Sequence, residues 1–352
     1  MYNKFILPFI FLCALSLQAQ IPSYYAGVNF EAAPETIESQ LAQLIINTHT
    51  TLLPYTSSNT DTWDAVRLTD EVATDNTLVY LVYGFDNNDD NTDTDYTRAK
   101  SLSCHTSGCS GLWNREHIFP KSLANPALFT SAPSAGTDVH NLRACDGDMN
   151  SSRSNRLYQD DSGNSHITSI GNWYPGDEWK GDVARTIMYM YLRYGNQCLP
   201  NNVASSTNTY HQVMPDVFLD WNVQDPVSQT ELLRNEVLES LQGNRNPFID
   251  NPYLATLLWG GNTAIDAWNT LSSSTVSESH FTVYPTITHD RLEIKGIKNS
   301  FVDYLIYGVS GQLVYKSKTT SLIDVSPLDS GVYILKLVNS SGSSQNIFFV
   351  KK

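Results

Sequence analysis

Two short polar blocks near the middle of the sequence contain the side chains whose types and spacing could carry out a reaction. The first block, residues 113–122, places Glu116 directly before His117. The second block, residues 138–156, contains one histidine, three asparagines and three arginines: His140, Asn141, Asn150, Asn155, Arg143, Arg153 and Arg156. A single Glu-His pair carries little information, because most histidines are surface residues or hydrogen-bonded core residues. The composition of the second block favours a catalytic site.

These residue types suit phosphodiester hydrolysis. The Glu116 carboxylate and the Asn150 amide oxygen are hard ligands suited to Mg²⁺, Mn²⁺ or Ca²⁺, whereas Zn²⁺ prefers Cys and His. A neutral imidazole at His117 can take a proton from water near pH 7. The three arginines of the second block can pair with phosphate oxygens through their planar guanidinium groups. A metal ion would offset charge on the phosphorane and on the leaving oxygen.

The same blocks resemble a known family of secreted and periplasmic nucleases, the endonuclease I family. The resemblance is carried by Arg115-Glu116-His117-x-x-Pro120-Lys121-Ser122, Asp138-x-His140-Asn141-Leu142 and Asn150-x-x-Arg153-Ser154-Asn155. It continues through residues 180–185, 189–190, 193–195 and 242–250, and it covers roughly residues 21–260. It implies an α+β nuclease domain with a ββα-metal active site, the His-Me finger.

The resemblance also implies roles for individual residues. His117 is expected to be the general base, with Glu116 and Asn150 as ligands of Mg²⁺, or of Mn²⁺ or Ca²⁺. Better-known periplasmic members carry a phosphate-binding arginine between the two blocks, but residues 122–137 contain no Arg or Lys. Its candidate replacements are Arg143, Arg153 and Lys121, the first two predicted to be catalytic; the alternative is that the role is unfilled. The predicted substrate-binding residues are Arg115, Lys121, His140, Asn141, Asn155 and Arg156.

The elements that position these residues place a condition on the site. Adjacent residues on a regular strand point to opposite faces, so Glu116 and His117 share a site only if the strand ends or bulges there. Apolar periodicity predicts helices over residues 31–47, 182–194 and 230–242. Residues 77–85 are apolar and β-prone, which predicts a buried strand or the edge of a helix. Residues 86–95 form an acidic stretch, which we interpret as a solvated loop, with a structural Ca²⁺ site as the alternative.

The domain organisation follows from composition. Residues 1–19 have the charged start, apolar run and cleavage site of a signal peptide, residues 20–262 form the predicted catalytic domain, and residues 263–280 form a Ser-rich linker. Residues 281–352 predict a small antiparallel β-sandwich. They resemble the sorting domain of type IX secretion cargo through Val283-Tyr284-Pro285, Ile306-Tyr307-x-Val309-Ser310-Gly311, Ser330-Gly331-Val332-Tyr333 and Lys351-Lys352. Thr286 departs from the usual Asn-Pro pair, and an adhesion or carbohydrate-binding sandwich is the alternative.

Four cysteines follow the predicted signal peptide: Cys104, Cys109, Cys145 and Cys198. An even number in an exported chain predicts two disulfides, for which three connectivities are possible. Zinc binding is the alternative, because Cys104, His105 and Cys109 lie close together in the sequence. Their spacing matches no common zinc module.

The charge distribution also bears on function. The 352 residues carry a formal charge of −14, whereas residues 98–160 contain seven basic and five acidic side chains. A locally basic cleft in an acidic body suits a nuclease that must release its substrate. We therefore expect a secreted or surface-bound, monomeric, largely non-specific endonuclease that acts on DNA and possibly on RNA. The alternative is an inactive extracellular protein that binds nucleic acid or matrix.

Overall fold

The chain divides into two compact units, Met1–Leu271 and Ser272–Lys352. The computed structural model describes residues 21–106, 108–269, 282–295, 302–308, 312–319, 321–338 and 344–352. The predicted signal peptide and linker residues 270–280 lie outside these ranges. No helix in the described ranges has the length and apolar character needed to cross a membrane.

The first unit mixes helices with short strands, as the α+β prediction requires. Its helices are α1 (Pro34–Thr48), α2 (Thr62–Thr69), α3 (Gly147–Arg153), α4 (Lys180–Tyr194), α5 (Asp216–Gln224), α6 (Gln229–Gln242), α7 (Pro247–Asp250) and α8 (Tyr253–Trp259). Its strands are β1 (Glu71–Val72), β2 (Asp75–Tyr80), β3 (Thr97–Ala99), β4 (Trp113–His117), β5 (Leu142–Asp146), β6 (His166–Ile167) and β7 (Trp173–Tyr174). They form the sheet β1-β2-β3 and the pairs β4-β5 and β6-β7.

The three predicted helices are confirmed as α1, α4 and α6. Helix α4 is buried on most sides and packs in the hydrophobic core, where its buried Asp182 and Arg185 are paired with Arg143 and Glu231. Helix α6 starts at a capping box formed by Ser228 and Glu231, and it ends at Gly243 with φ 93°. The predicted strand over 77–85 is shorter than expected, because β2 ends at Tyr80.

The two polar blocks fold into consecutive elements. Strand β4 pairs antiparallel with β5, with Glu116 opposite Arg143, and α3 follows β5 directly. Asp146 caps α3 by accepting hydrogen bonds from the backbone amides of Asp148 and Met149. This strand-strand-helix order brings the end of β4 and one face of α3 to the same place.

The second unit is β-rich. Its strands are β8 (Thr282–Tyr284), β9 (Ile287–Thr288), β10 (Arg291–Lys295), β11 (Val302–Gly308), β12 (Leu313–Thr319), β13 (Leu322–Asp324), β14 (Gly331–Val338) and β15 (Ser344–Lys351). The sheets β13-β10-β8 and β12-β11-β14-β15-β9 contribute side chains to one hydrophobic core. The prediction of purely antiparallel pairing is wrong at one position, because β9 runs parallel to β15.

The cysteine prediction needs correction. Cys104 and Cys109 form a disulfide, but Cys145 and Cys198 are buried free thiols. Both free cysteines belong to the hydrophobic core, where a thiol packs as a small apolar group. The disulfide also argues against the zinc alternative, because its sulfurs are bonded to each other.

Packing of the first unit continues past residue 262. Ala264 and Trp268 are buried, and the Trp268 ring centroid lies 4.7 Å from that of Tyr25. Part of the segment predicted to be linker therefore belongs to the hydrophobic core of the first unit.

Candidate active site

An open cavity of about 440 Å³ lies where β4 ends beside α3, and Glu116, His117 and Asn150 all line it. Strand β4 ends at His117, so Glu116 and His117 are not held to opposite faces of a continuing strand. The condition set by the sequence is therefore met. The other lining residues are Tyr55, Arg115, Pro120, Lys121, Ser122, Ser154 and Asn155.

One ring nitrogen of His117 is hydrogen-bonded to the backbone, and the other can accept a proton. Its Nε2 lies 2.8 Å from the carbonyl oxygen of Gly136. A carbonyl can only accept, so Nε2 carries the proton and Nδ1 keeps its lone pair. A Cβ at Gly136 would lie 2.1 Å from the carbonyl oxygen of Phe129, so the close packing of residue 136 against the backbone of Phe129 requires glycine. Burial lowers the pKa of His117 to about 4, and the ring is neutral near pH 7.

Glu116 is a buried carboxylate held through one oxygen. Its Oε1 accepts a hydrogen bond of 3.2 Å from the Tyr83 hydroxyl and lies 3.0 Å from Nε of Arg153. Burial raises the pKa of Glu116 to about 7, while Arg153 and the Tyr83 hydroxyl act in the opposite direction. Both side-chain contacts are on Oε1, and the backbone of His117 also hydrogen-bonds to the carboxylate. Because Glu116 lines the cavity, its carboxylate is placed to contribute an oxygen ligand to a cation.

The Tyr83 ring is placed by an unusual backbone conformation. Tyr83 is fully buried and has φ 73°, an uncommon region for a bulky residue. Its hydroxyl also lies 3.0 Å from that of Tyr158. The Tyr158 hydroxyl donates to the carbonyl of Ile118, so hydroxyl groups connect Glu116 with the residue that follows His117.

Asn150 presents its amide oxygen to the cavity from α3. Its Nδ2 donates a hydrogen bond of 2.6 Å to Oδ1 of Asn114 on β4, which leaves Oδ1 of Asn150 as an acceptor. A carboxylate oxygen and an amide oxygen on one cavity fit a hard divalent cation. The cavity lining lacks cysteine and a second histidine, which Zn²⁺ would favour.

Three further predicted residues line the cavity, and they differ in whether their side chains are held by neighbouring groups. Lys121 is exposed, and Asn155 donates through Nδ2 to the Ser122 hydroxyl at 3.1 Å. Arg115 is instead fixed, with its guanidinium carbon 3.5 Å from the Tyr55 ring centroid and a hydrogen bond of 2.6 Å to Thr62. Arg115 therefore forms a wall of the cavity, whereas Lys121 can reach a substrate.

The two arginines predicted to be catalytic lie elsewhere. Arg143 is directly opposite Glu116 in the β4-β5 ladder, yet its guanidinium is buried between Asp70 at 2.9 Å and Asp182 at 2.8 Å. Arg153 is fully buried. It contacts Glu116 and donates to the carbonyl of Ser154. Neither arginine lines the cavity.

Three residues predicted to bind substrate contact other parts of the protein instead of the cavity. His140 is buried, with its ring 4.2 Å from that of Tyr189. Asn141 is buried and exchanges two hydrogen bonds with the backbone of Phe119, at 2.6 and 3.2 Å. Arg156 donates to the backbone carbonyls of residues 152 and 171. Asn141 fixes the chain just after β4, and none of the three lines the cavity.

The residues that support the site were not predicted from the sequence. They are Tyr55, whose ring stacks on His117 with centroids 5.7 Å apart, together with Tyr83, Asn114 and Gly136. Tyr55 and Tyr83 lie outside both polar blocks, and no local pattern marks them. Asn114 lies inside the first block, two residues before Glu116, and its polar type was the signal available.

One acidic cluster bears on the Ca²⁺ alternative for residues 86–95. Carboxylate oxygens of Asp93, Asp146 and Asp148 lie within 4.8 Å of one another. Asp146 is already paired with Arg98 and caps α3. Only Asp93 comes from the acidic stretch, most of which is exposed, and this favours the interpretation as a solvated loop.

Comparison with known proteins supplies the class and the family. The Endonuclease I family model matches residues 33–253, and the Secretion system C-terminal sorting domain model matches residues 282–351. The first match covers over half of the 352 residues, and it defines a hydrolase of the nuclease class. The chain belongs to the Endonuclease I family. Nucleases of this family generally depend on a divalent metal.

Curated relatives agree with this assignment. An extracellular ribonuclease of Bacillus subtilis (strain 168) is 36% identical over 253 residues, covering 68% of this chain and 80% of that protein. An extracellular ribonuclease of Bacillus amyloliquefaciens is 38% identical over 227 residues, covering 61% and 71%. An extracellular deoxyribonuclease of Aeromonas hydrophila is 29% identical over 123 residues, covering 32% and 49%. With the sorting domain, these similarities confirm the prediction of an exported protein on the type IX route.

Proposed function

We propose that this chain is a metal-dependent endonuclease that hydrolyses phosphodiester bonds in DNA and RNA, with His117 as general base. The observation that carries the proposal is the meeting of three groups on one cavity: the free Nδ1 of His117, the Glu116 carboxylate and the Asn150 amide oxygen. A bound Mg²⁺, Mn²⁺ or Ca²⁺ would stabilise negative charge on the phosphorane and on the leaving oxygen.

The remaining groups have separate tasks. Nδ1 of His117 takes a proton from the attacking water, while its Nε2–H bond to Gly136 keeps the ring in place. Arg153 and Tyr83 orient Glu116. Lys121 takes the place of the family arginine that is missing from residues 122–137, because it is the exposed cation on the cavity.

The proposed substrate range is broad. Lys121, the exposed cation on the cavity, would contact the nucleic-acid backbone, which carries no direct sequence information. The relatives are named ribonucleases and a deoxyribonuclease, which supports activity on both nucleic acids. An inactive binding protein is the second candidate, but binding would not require a histidine fixed with a free nitrogen beside two hard ligands.

The test uses the full secreted chain as a monomeric preparation, a state that light scattering would check. Supercoiled plasmid and a structured RNA are incubated with the protein, with and without EDTA, and then with Mg²⁺, Mn²⁺ or Ca²⁺ restored. We expect cleavage of both substrates, loss in EDTA and recovery with at least one cation. Cleavage that persists in EDTA would refute the metal-dependent mechanism, and binding without cleavage under all conditions would favour the second candidate.

A further inference from the structure

A second cavity adjoins the candidate active site. It has a volume of about 270 Å³ and shares Tyr55 and Arg115 with the active-site cavity, while Trp63, His105 and Asn114 form other walls. This volume lies just below the range of about 300–1,000 Å³ found for pockets that bind drug-sized ligands. The cavity can therefore hold a group of about the size of one nucleobase.

Planar groups connect the two cavities at stacking distances. The guanidinium carbon of Arg115 lies 3.5 Å from the Tyr55 ring centroid and 3.9 Å from that of Trp63. The Trp63 ring centroid lies 4.2 Å from that of His105. Trp63 is only 5% exposed, whereas His105 is exposed. A ligand entering this cavity would therefore meet the imidazole of His105 as its accessible planar face.

The arrangement favours a base over a phosphate. A phosphate would need free donors, but the terminal nitrogens of Arg115 already donate to Thr62, Thr56 and the carbonyl of Tyr55. Nucleobases instead stack on aromatic faces with little dependence on sequence. Because the two cavities share walls, a base here would belong to a nucleotide next to the cleaved phosphate.

The residue that precedes His105 is anchored to β4 and to a disulfide. The backbone amide of Cys104 donates to the carbonyl of Trp113 on β4 at 2.7 Å, and Cys104 is bonded to Cys109. The accessible face of His105 is thus tied to the strand that carries Glu116 and His117. A platform fixed in this way loses little freedom when it binds a ligand.

We propose that this second cavity is a nucleobase subsite, with His105 as its stacking platform, for a nucleotide adjacent to the scissile phosphate. This inference rests on the proposed nuclease function. A base reaches such a platform only when it has left its stack in the duplex, which costs free energy. The subsite therefore favours cleavage of RNA and of single-stranded DNA over duplex DNA.

The test is an abasic scan of single-stranded DNA. One abasic nucleotide is moved along an end-labelled oligonucleotide, and the cleavage frequency at every linkage is measured. Base-aromatic stacking is worth about 1–3 kcal/mol, so the wild-type chain should show about a five- to hundred-fold loss of cleavage at one fixed offset from the abasic position. A profile without a preferred offset would overturn the subsite.

Variants assign the effect to the platform. His105→Ala should lower kcat/KM on intact oligonucleotides and abolish the abasic penalty, whereas His105→Phe, which keeps a planar face, should retain it. His166→Ala is the control. His166 is partly exposed, lies 3.2 Å from Asp161 and lines neither cavity. An abasic penalty that persists in His105→Ala would refute the role of His105.

A binding measurement separates this inference from the proposed function. Fluorescence anisotropy compares intact and abasic oligonucleotides on the wild-type chain and on His105→Ala. If cleavage fails but the abasic penalty on binding is present and depends on His105, the subsite stands and the nuclease mechanism fails. If EDTA-sensitive cleavage is present without any abasic penalty, the mechanism stands and the subsite fails.

Discussion

Replacement of Tyr83 by Phe tests how the carboxylate of Glu116 is positioned. The substitution removes a buried hydroxyl that donates to Oε1 of Glu116 at 3.2 Å, and it keeps the ring in the core. Nε of Arg153 still lies 3.0 Å from the same oxygen. Glu116 would then lose one of its two side-chain partners, so its carboxylate would be oriented less well toward a cation.

The expected size of the effect follows from the geometry. Loss of a partner that orients a metal ligand costs about 10–100-fold in metal affinity or activity. At 3.2 Å, the hydrogen bond from Tyr83 is longer than the usual limit of about 3.0 Å for O–H···O bonds, and Arg153 is retained. We therefore expect the low end, about a tenfold rise in the Mg²⁺ concentration that gives half-maximal rate.

The assay is plasmid nicking over a Mg²⁺ titration, with Mn²⁺ binding to the free protein as a readout that does not depend on catalysis. Tyr189→Phe is the matched control, because the buried Tyr189 hydroxyl donates to another carboxylate, Asp138, at 2.8 Å. Hydrogen bonds to charged groups are worth about 1.5–3 kcal/mol, so both variants should lose stability. Unchanged metal dependence in Tyr83→Phe would refute the positioning role.

Three further outcomes are expected. His117→Ala should lower the cleavage rate by about 10²–10⁴ while DNA and metal binding persist, and retention of a tenth of wild-type activity would remove His117 from the base role. Glu116→Ala and Asn150→Ala should raise the Mg²⁺ requirement, and an unchanged titration curve would argue against both as ligands. A chain truncated after Ser279 should remain soluble and cleave DNA, because every proposed site residue lies in the first unit, and a soluble but inactive product would contradict that independence.

The sequence was most informative where function depends on contiguous residues. Glu116, His117 and Asn150 were predicted from residue chemistry and motif order, and all three line one cavity. The requirement that the strand end or bulge at Glu116 and His117 also follows from the sequence, because side chains on a regular strand alternate between two faces. The helices were predictable for a similar reason, since buried faces repeat with a fixed period.

Roles that depend on distant partners were not predictable. Arg143 lies in the second polar block, but Asp70 and Asp182, which neutralise it, lie on other segments. Tyr83, which donates to Glu116, has a left-handed backbone conformation, and a tyrosine in the sequence does not indicate that conformation. The even number of cysteines led to a wrong prediction of two disulfides. Cys145 is a free thiol in the hydrophobic core, and the sequence does not show which cysteines the fold brings together.

The positions of the arginines also determine which positive charges can attract the phosphates of a nucleic acid. Arg153 is buried against Glu116 and Arg143 against two aspartates, so neither offers its charge to a phosphate. The terminal nitrogens of Arg115 donate to Thr62, Thr56 and the carbonyl of Tyr55, and its Nε is buried. Lys121 is the exposed cation that lines the cavity. The chain as a whole carries a formal charge of −14, which repels a polyanion. A divalent cation on Glu116 and Asn150 would thus supply most of the positive charge that faces the scissile phosphate, so binding of nucleic acid should depend on the metal as strongly as cleavage does.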